Sequence, residues 1–140
     1  MTARKTSSIA KTKGSGAKAV STKKSMAQAD TVRVAAIQMA SGPGVAANLA
    51  EAERLIGQAV ADGAQLVALP EYFAIMGLKD TDKVKVREPE GKGPIQSFLS
   101  RMAKKHHIWL VGGSVPLECD TPDKVRNSCL VYDERGKQVA

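Results

Sequence analysis

Two short apolar runs on either side of one amphipathic segment constrain the fold of this chain more than any other feature. Residues 32–39 (VRVAAIQM) and 65–69 (QLVAL) are mostly apolar and contain β-branched residues, as buried strands do. The Ser-Gly-Pro-Gly segment at 41–44 ends the first run, and Pro70 ends the second. Between them, apolar residues recur at helical spacing, with Asn48 as the expected N-cap in a capping-box pattern and Gly63 as the expected C-terminal glycine. This order predicts a right-handed βαβ unit with two parallel strands.

The alternation of elements continues toward the end of the chain. Residues 77–93 are charged and rich in Gly and Pro, so we expect a long surface loop there. Pro94 suits the first turn of a second helix, which carries an apolar stripe at positions i, i+3, i+4 and i+7. Residues 108–111 (IWLV) predict a third strand, and residues 127–132 and 137–140 predict the two strands of a hairpin. The fold class is therefore α/β.

The positive charge of the chain is concentrated at its beginning. Of the net charge of +7, residues 1–30 contribute seven Lys/Arg and one acid, whereas residues 31–140 are almost balanced. Residues 1–30 have almost nothing to bury, so we predict a disordered basic extension followed by a folded domain at 31–140. The extension suits a solvated segment, a targeting segment or weak phosphate binding. Since no aromatic residue lies among its lysines, we do not expect nucleic acid as a partner.

Other compositional features narrow the class of protein. Cys119 and Cys129 are ten residues apart and match neither a CxxC nor a zinc spacing, so we expect a reducing, cytoplasmic compartment. No apolar stretch is long enough to span a membrane, and the basic start lacks the apolar core of a secretory signal.

His106 and His107 end the second helix, where cations suit the helix dipole. Adjacent helical residues point in different directions, so we expect no shared metal.

Glu71 is the candidate functional residue. It follows Pro70 at the carboxyl end of the second predicted strand, and ligands of open α/β sheets bind at that end of the strands. Because Tyr72 and Phe73 follow it, we expect the carboxylate to be partly withdrawn from water, as suits a general base. The alternative is a loop acid that caps a turn or pairs with a nearby cation.

Four landmarks taken together resemble the opening of the nitrilase superfamily of carbon–nitrogen hydrolases, closest to its amidase branch. They cover nearly all of residues 32–140 in the order and spacing of that family. They are residues 33–39 (RVAAIQM), 63–73 (GAQLVALPEYF), 110–114 (LVGGS) with 126–128 (RNS), and 131–136 (VYDERG).

The resemblance implies an α-β-β-α sandwich, of which this chain would be the N-terminal portion, and a Glu–Lys–Cys catalytic set. Glu71 matches the glutamate, which serves as general base toward the cysteine. The implied reaction is hydrolysis of an amide, or less favourably a nitrile, of a small carboxylic acid, without a metal or organic cofactor. The family associates through helical faces, so we expect a homo-oligomer when the protein is complete.

This chain departs from the family pattern in one respect. The family lysine and cysteine follow the second hairpin strand, and the sequence ends at Ala140 before either position, so we expect the 140-residue chain alone to be inactive. It should also aggregate or be molten, since its sheet would lack its cover. Cys129 matches a hairpin-strand position and is expected to be a buried structural residue. Cys119 lies in a polar loop beside two acids, a setting that does not favour an activated thiolate.

Two other functions remain open at this point. Residues 42–47 satisfy G-x-G-x-x-A between a strand and a helix, which is typical of dinucleotide-binding domains, and Glu71 could then bind a ribose. Against this, the first glycine comes well after the strand, the helix is expected to begin at Asn48, and Pro70 precedes the acid. The second alternative is a non-catalytic truncated protein with a weakly nucleic-acid-binding basic tail.

Overall fold

The computed structural model describes residues 31–140, which form a four-stranded sheet, a separate two-stranded sheet and three helices. The disordered extension expected at residues 1–30 lies outside the described residues, so the division into two regions stays a prediction. No helix in the described part of the chain is long and apolar enough to cross a membrane. In chain order, the elements are β1 (Val34–Ala36), α1 (Val45–Ala61), β2 (Leu66–Ala68), α2 (Asp82–Lys85), α3 (Pro94–His106), β3 (Trp109–Val111), β4 (Val115–Leu117), β5 (Arg126–Ser128) and β6 (Val131–Tyr132).

The larger sheet has the strand order β1-β2-β3-β6. Its first three strands are parallel, so the parallel βαβ unit expected from the sequence is confirmed. β6 is antiparallel to β3 and is the last strand in this sheet order. The paired regions are shorter than the apolar runs, although pairing extends beyond β1 because the amide of Ile37 donates to the carbonyl of Ala68 (2.9 Å).

The capping role expected of Asn48 is wrong. α1 begins at Val45, with Gly44 as N-cap and no side-chain cap, so Asn48 lies inside the first turn. Its side chain is buried and bonds across the fold instead: Nδ2 donates to the carbonyls of Gly42 (2.8 Å) and Ala74 (2.9 Å), and Oδ1 accepts from the amide of Gly42 (2.9 Å). A buried amide must satisfy its hydrogen bonds, and here it does so by joining two loops.

The predicted C-terminal end of α1 is confirmed. Gly63, with φ of 87°, directly follows the C-cap Asp62. Its amide donates to the carbonyl of Val60 (2.8 Å), and the amide of Ala64 donates to the carbonyl of Ala59 (3.0 Å). This is the Schellman arrangement, which favours glycine because of the left-handed backbone.

The surface loop expected at residues 77–93 is only partly correct. It contains the four-residue helix α2, and Glu88 near its end pairs with Leu117 as an isolated β-bridge. The backbone of Glu88 also bonds with Pro116 and Glu118, both at 2.9 Å. The end of the segment is therefore tied to β4, and Glu88 is only 3% exposed.

The buried carboxylate of Glu88 caps α3. It accepts hydrogen bonds from the amides of Ile95 (2.6 Å) and Gln96 (3.1 Å) and from Nε2 of Gln96 (3.0 Å). These backbone amides have no partner within the helix, and the helix dipole favours a negative charge at that end. Gly93, with φ of 127°, leaves room for the carboxylate, since an added Cβ there would clash with the Glu88 side chain.

The single hairpin strand expected at residues 127–132 is wrong, because the chain changes sheets within it. β5 pairs with β4, which the sequence reading missed, whereas β6 pairs with β3. Pro116 is in the middle of β4, where its carbonyl accepts a hydrogen bond from the amide of Glu88 while β5 pairs with the other edge of the strand. Cys129 lies at the change of sheets and is exposed, so its expected burial is also wrong. The turn between β6 and the final residues is confirmed by a bridge between Tyr132 and Gln138.

The two faces of the larger sheet have different surroundings. One face carries Ala35, Val67, Leu110 and Tyr132, which join the buried side chains of α1 and α3 in one core. The predicted stripe of α3 is buried in that core; its members are Ile95, Phe98, Leu99 and Met102. The opposite face is also apolar but stays partly exposed; its members are Val34, Ala36, Leu66, Ala68, Trp109, Val111 and Val131.

Candidate active site

Glu71 lies at the carboxyl ends of two neighbouring parallel strands. Beyond the ends of β2 and β3, the amide of Leu69 still donates to the carbonyl of Val111 (2.9 Å), so the two strands stay together up to Pro70. The amide of Phe73 then donates to the carbonyl of Pro70 (3.3 Å), which places Glu71 and Tyr72 at the centre of a tight turn. The position of Glu71 at this edge agrees with the sequence expectation.

The backbone of this turn is strained at Tyr72, and the connection between β3 and β4 supports it. Tyr72 has φ of 58°, a left-handed conformation that is costly for a residue other than glycine. Its amide donates to Oγ of the buried Ser114 (2.7 Å). Gly113, itself at φ of 54°, packs so closely on Pro70 that an added Cβ would clash with the Pro70 carbonyl. Residues 113 and 114 therefore hold the turn in its strained conformation.

The loop between β1 and α1 holds the residues that follow the turn. Oγ of Ser41 donates to the carbonyl of Phe73 (3.2 Å), and Nδ2 of Asn48 donates to the carbonyl of Ala74 (2.9 Å). The side chains of Phe73 and Ala74 are fully buried in the core. Glu71 is thus presented on a turn that is fixed from both sides.

The carboxylate of Glu71 is exposed, so the expected partial withdrawal from water is wrong. Phe73 packs into the core, and the ring of Tyr72 lies beneath the ammonium group of Lys83, with 4.2 Å between Nζ and the ring centroid. Neither aromatic residue acts as the expected shield. Among the described residues, the hydrogen-bond partner of the carboxylate is Asn127, whose Nδ2 donates to Oε1 of Glu71 (3.2 Å).

Sequence reasoning missed Asn127 as a partner of Glu71. The only signal was its place in the RNS segment, one of the landmarks of the family resemblance. Its position depends on β5, which pairs with β4 so that Asn127 lies opposite Pro116. Sequence reasoning also missed the role of Ser114, because its contact with Tyr72 joins residues 42 positions apart and no local pattern indicates it.

Among the described residues, none of the other sequence candidates is hydrogen-bonded to this turn. Cys119 and Cys129 are both free and exposed, and Sγ of Cys119 donates to the carbonyl of Thr121 (3.6 Å). Burial, followed by the positive charge of Lys105, lowers the pKa of His106 below its usual value. This opposes the cationic role expected of His106 at the end of α3. Within residues 31–140, no group of three or more His, Cys, Asp or Glu residues could hold a metal ion.

The glycine motif at residues 42–47 does not form an open phosphate cradle. One argument against it was wrong, because α1 begins at Val45, directly after the glycines. The amide of Gly42, however, donates to Oδ1 of Asn48 (2.9 Å), so this N–H group is already engaged within the protein. A phosphate would have to displace a buried side chain to reach it.

Comparisons of sequence give one family. A family model described as carbon-nitrogen hydrolase matches residues 33–140. A deaminated glutathione amidase of Synechocystis is 35% identical over 107 residues, which are 76% of this chain and 39% of that protein. An omega-amidase of Xenopus laevis is 36% identical over 105 residues, which are 74% of this chain and 36% of that protein. The chain therefore spans about two-fifths of the length of these relatives.

Comparisons with solved structures give the same family as the comparisons of sequence. Nit3 of Saccharomyces cerevisiae, described as a member of branch 10 of the nitrilase superfamily, superposes with a TM-score of 0.68 and 30% identity. That match covers 78% of this chain and 42% of Nit3. An amidase from Nesterenkonia sp. superposes with a TM-score of 0.62 and 26% identity, covering 78% of this chain and 41% of that amidase. The fold is therefore the N-terminal portion of the nitrilase-type sandwich.

Proposed function

This chain belongs to the carbon–nitrogen hydrolase family, and we propose that the full-length protein hydrolyses the amide bond of a small carboxylic acid derivative. The relatives that support an amide rather than a nitrile are named as amidases, among them the Synechocystis and Xenopus proteins. A nitrile is the less favoured substrate. Because the chain spans about two-fifths of these relatives, the proposal concerns the full-length protein.

The observation that carries the proposal is the placement of Glu71. An exposed carboxylate is presented at the carboxyl ends of β2 and β3, on a turn whose backbone is strained at Tyr72 and held by Ser114. Strain of this kind persists only where the surrounding structure imposes it, and it is typical of functional sites. A fixed carboxylate that reaches solvent can accept a proton from a nucleophile bound to the same edge of the sheet.

In the proposed reaction, Glu71 moves one proton in each half of the cycle. It first takes the proton of the cysteine thiol as sulfur attacks the amide carbon, and it returns that proton to the departing nitrogen. Water then attacks the resulting thioester, Glu71 accepts a proton from it and returns that proton to the departing sulfur, and the carboxylic acid and the free thiol are released. The family resemblance assigns the cysteine, and the lysine that stabilises the tetrahedral intermediate, to the part of the full-length protein that follows these 140 residues.

The test is Glu71→Gln in the full-length protein, with ammonia release from a simple aliphatic amide, an ω-amide and a nitrile as the readout. Glutamine keeps the shape of the side chain but cannot accept the proton, so turnover should fall by about 10²- to 10⁴-fold. The matched control is Glu118→Gln, which changes an exposed glutamate outside the turn and should leave turnover unchanged. Near-normal turnover of Glu71→Gln would contradict the assignment, and turnover of the nitrile alone would reverse the choice of substrate.

The resemblance also supports two proposals about the state of the full-length protein. It should be a homo-oligomer that associates through helical faces, which sedimentation velocity would detect as a species heavier than one chain. It should reside in the cytoplasm, since Cys119 and Cys129 are both free thiols and a reducing compartment keeps thiols in that form.

A further inference from the structure

We propose that Asn127 is a positioning residue for Glu71, and that it divides the carboxylate into one anchored oxygen and one reactive oxygen. Nδ2 of Asn127 donates to Oε1 of Glu71 (3.2 Å). Among the described residues, Oε2 of Glu71 has no hydrogen-bond partner. Oε2 is therefore the atom that accepts the proton. This inference deepens the proposed function and rests on it, because both concern the same carboxylate.

The donor is fixed on the same support as the turn that carries the acceptor. Asn127 belongs to β5, which pairs along its length with β4 and places Asn127 opposite Pro116. β4 directly follows Gly113 and Ser114, the two residues that hold the Glu71 turn. Residues 113 and 114 thus hold the backbone of the turn, and β5, which pairs with the strand directly after them, holds the tip of the Glu71 side chain.

An exposed glutamate needs such an anchor if it is to act as a positioned base. The side chain has three rotatable bonds, and without a partner it samples many rotamers in water. A single hydrogen bond to one oxygen limits this freedom and leaves the other oxygen accessible. Positioning of this kind lowers the barrier of the chemical step, because the reacting atoms no longer have to find their geometry.

The anchor is a neutral amide although a cation is adjacent to it in sequence. Arg126 precedes Asn127 on β5, but its guanidinium is engaged by Glu90, with 2.6 Å between Nη2 and Oε2. An arginine on Glu71 could bind both carboxylate oxygens and would compete with the incoming proton. Because consecutive strand residues face opposite sides, Arg126 is directed toward Glu90 and away from Glu71, and among the described residues one neutral donor holds the carboxylate of Glu71.

The experiment compares Asn127→Ala, Asn127→Asp and Asn127→Gln in the full-length protein with the native enzyme. We expect Asn127→Ala to lower kcat by up to about 100-fold with little change in KM, because orientation of the base rather than substrate binding is lost. Asn127→Asp should be at least as damaging, since it keeps the shape but replaces the donor with a second negative charge. Asn127→Gln retains an amide donor and should recover part of the activity.

Ser128→Ala is the matched control, because Ser128 neighbours Asn127 on β5 and, within residues 31–140, its Oγ donates to the carbonyl of Arg126 (3.4 Å). It should retain the native kcat. Native kcat in Asn127→Asp, a loss confined to KM, or an equal loss in Ser128→Ala would each overturn the inference. Glu71→Gln, assayed alongside, separates the two ideas. If it is inactive while the Asn127 variants are normal, only the positioning role fails; if it is active, the proposed function itself fails.

Discussion

At the scale of single residues, two glycines show how differently the same residue type is used in this fold. Gly113 has φ of 54° and lies directly against the carbonyl of Pro70, at the base of the Glu71 turn. Gly57 lies in the middle of α1, where an added Cβ would meet nothing within 4 Å. The first position requires glycine for two steric reasons, whereas the second only pays the entropic cost of glycine in a helix.

This contrast predicts opposite effects of one substitution. Gly113→Ala places a residue with a Cβ in the left-handed backbone region and puts that Cβ against the carbonyl oxygen of Pro70. The free energy of unfolding should therefore fall by about 1–3 kcal/mol. Turnover should fall as well, because the Glu71 turn must shift. Gly57→Ala should raise the unfolding free energy by about 0.5–1 kcal/mol and leave turnover unchanged. Urea unfolding of both variants of the full-length protein measures this; a similar shift in both would contradict the packing of Gly113 on Pro70.

At the scale of elements, the start of α3 depends on a carboxylate that precedes the helix. Glu88 reaches over Gly93 to the amides of Ile95 and Gln96, so the end of the 77–93 segment and α3 are fixed together. Burial, followed by the negative charge of Glu88, raises the pKa of Tyr132 to about 12. Three N–H donors and the dipole of α3 stabilise the buried carboxylate of Glu88, which has no ion pair with a cation among residues 31–140.

Glu88→Gln should therefore destabilise the protein although it changes the side chain very little. The amide keeps one acceptor oxygen and turns an NH₂ group toward backbone N–H donors, so about 2 kcal/mol of unfolding free energy should be lost. Glu90→Gln is the matched control, because Glu90 is exposed and its pair with Arg126 contributes at most about 1 kcal/mol. Thermal denaturation of both variants compares them, and equal midpoints would show that Glu88 does not stabilise α3.

At the scale of the whole molecule, the larger sheet has a buried face and an apolar face that stays partly open. On the open face, Val34 is 60% exposed and Trp109 is 43% exposed. The two residues are aligned through Leu66 between them. Large apolar patches are rare on soluble monomers. In the α-β-β-α sandwich of this family, a second sheet packs against such a face.

The 140-residue chain expressed alone should accordingly self-associate. Trp109→Lys places a charge in the middle of the open face and should shift the sedimentation profile toward the monomer. Leu78→Lys is the control: Leu78 is 84% exposed but lies outside this face, so its substitution should leave association unchanged. A native chain that sediments as a monomer and melts in one sharp transition would show that the open face needs no cover.

The features that the sequence determined by itself are those specified by neighbouring residues. The apolar stripe of α3 and the Schellman turn at Gly63 follow from helical periodicity and from the backbone freedom of glycine. The place of Glu71 at a strand end follows from an apolar run stopped by Pro70. Because these signals act over a few residues, they could be read from the chain before any contact was known.

Only the tertiary structure decided which distant groups meet. Asn48 is a good helix cap by its local pattern, but it bonds to Ala74, 26 residues away, because burial of its amide demands partners from another loop. The bond from Asn127 to Glu71 spans 56 residues and exists because the chain changes sheets after β5. The geometry around the candidate base therefore depends on strand pairing and burial, which no local pattern specifies.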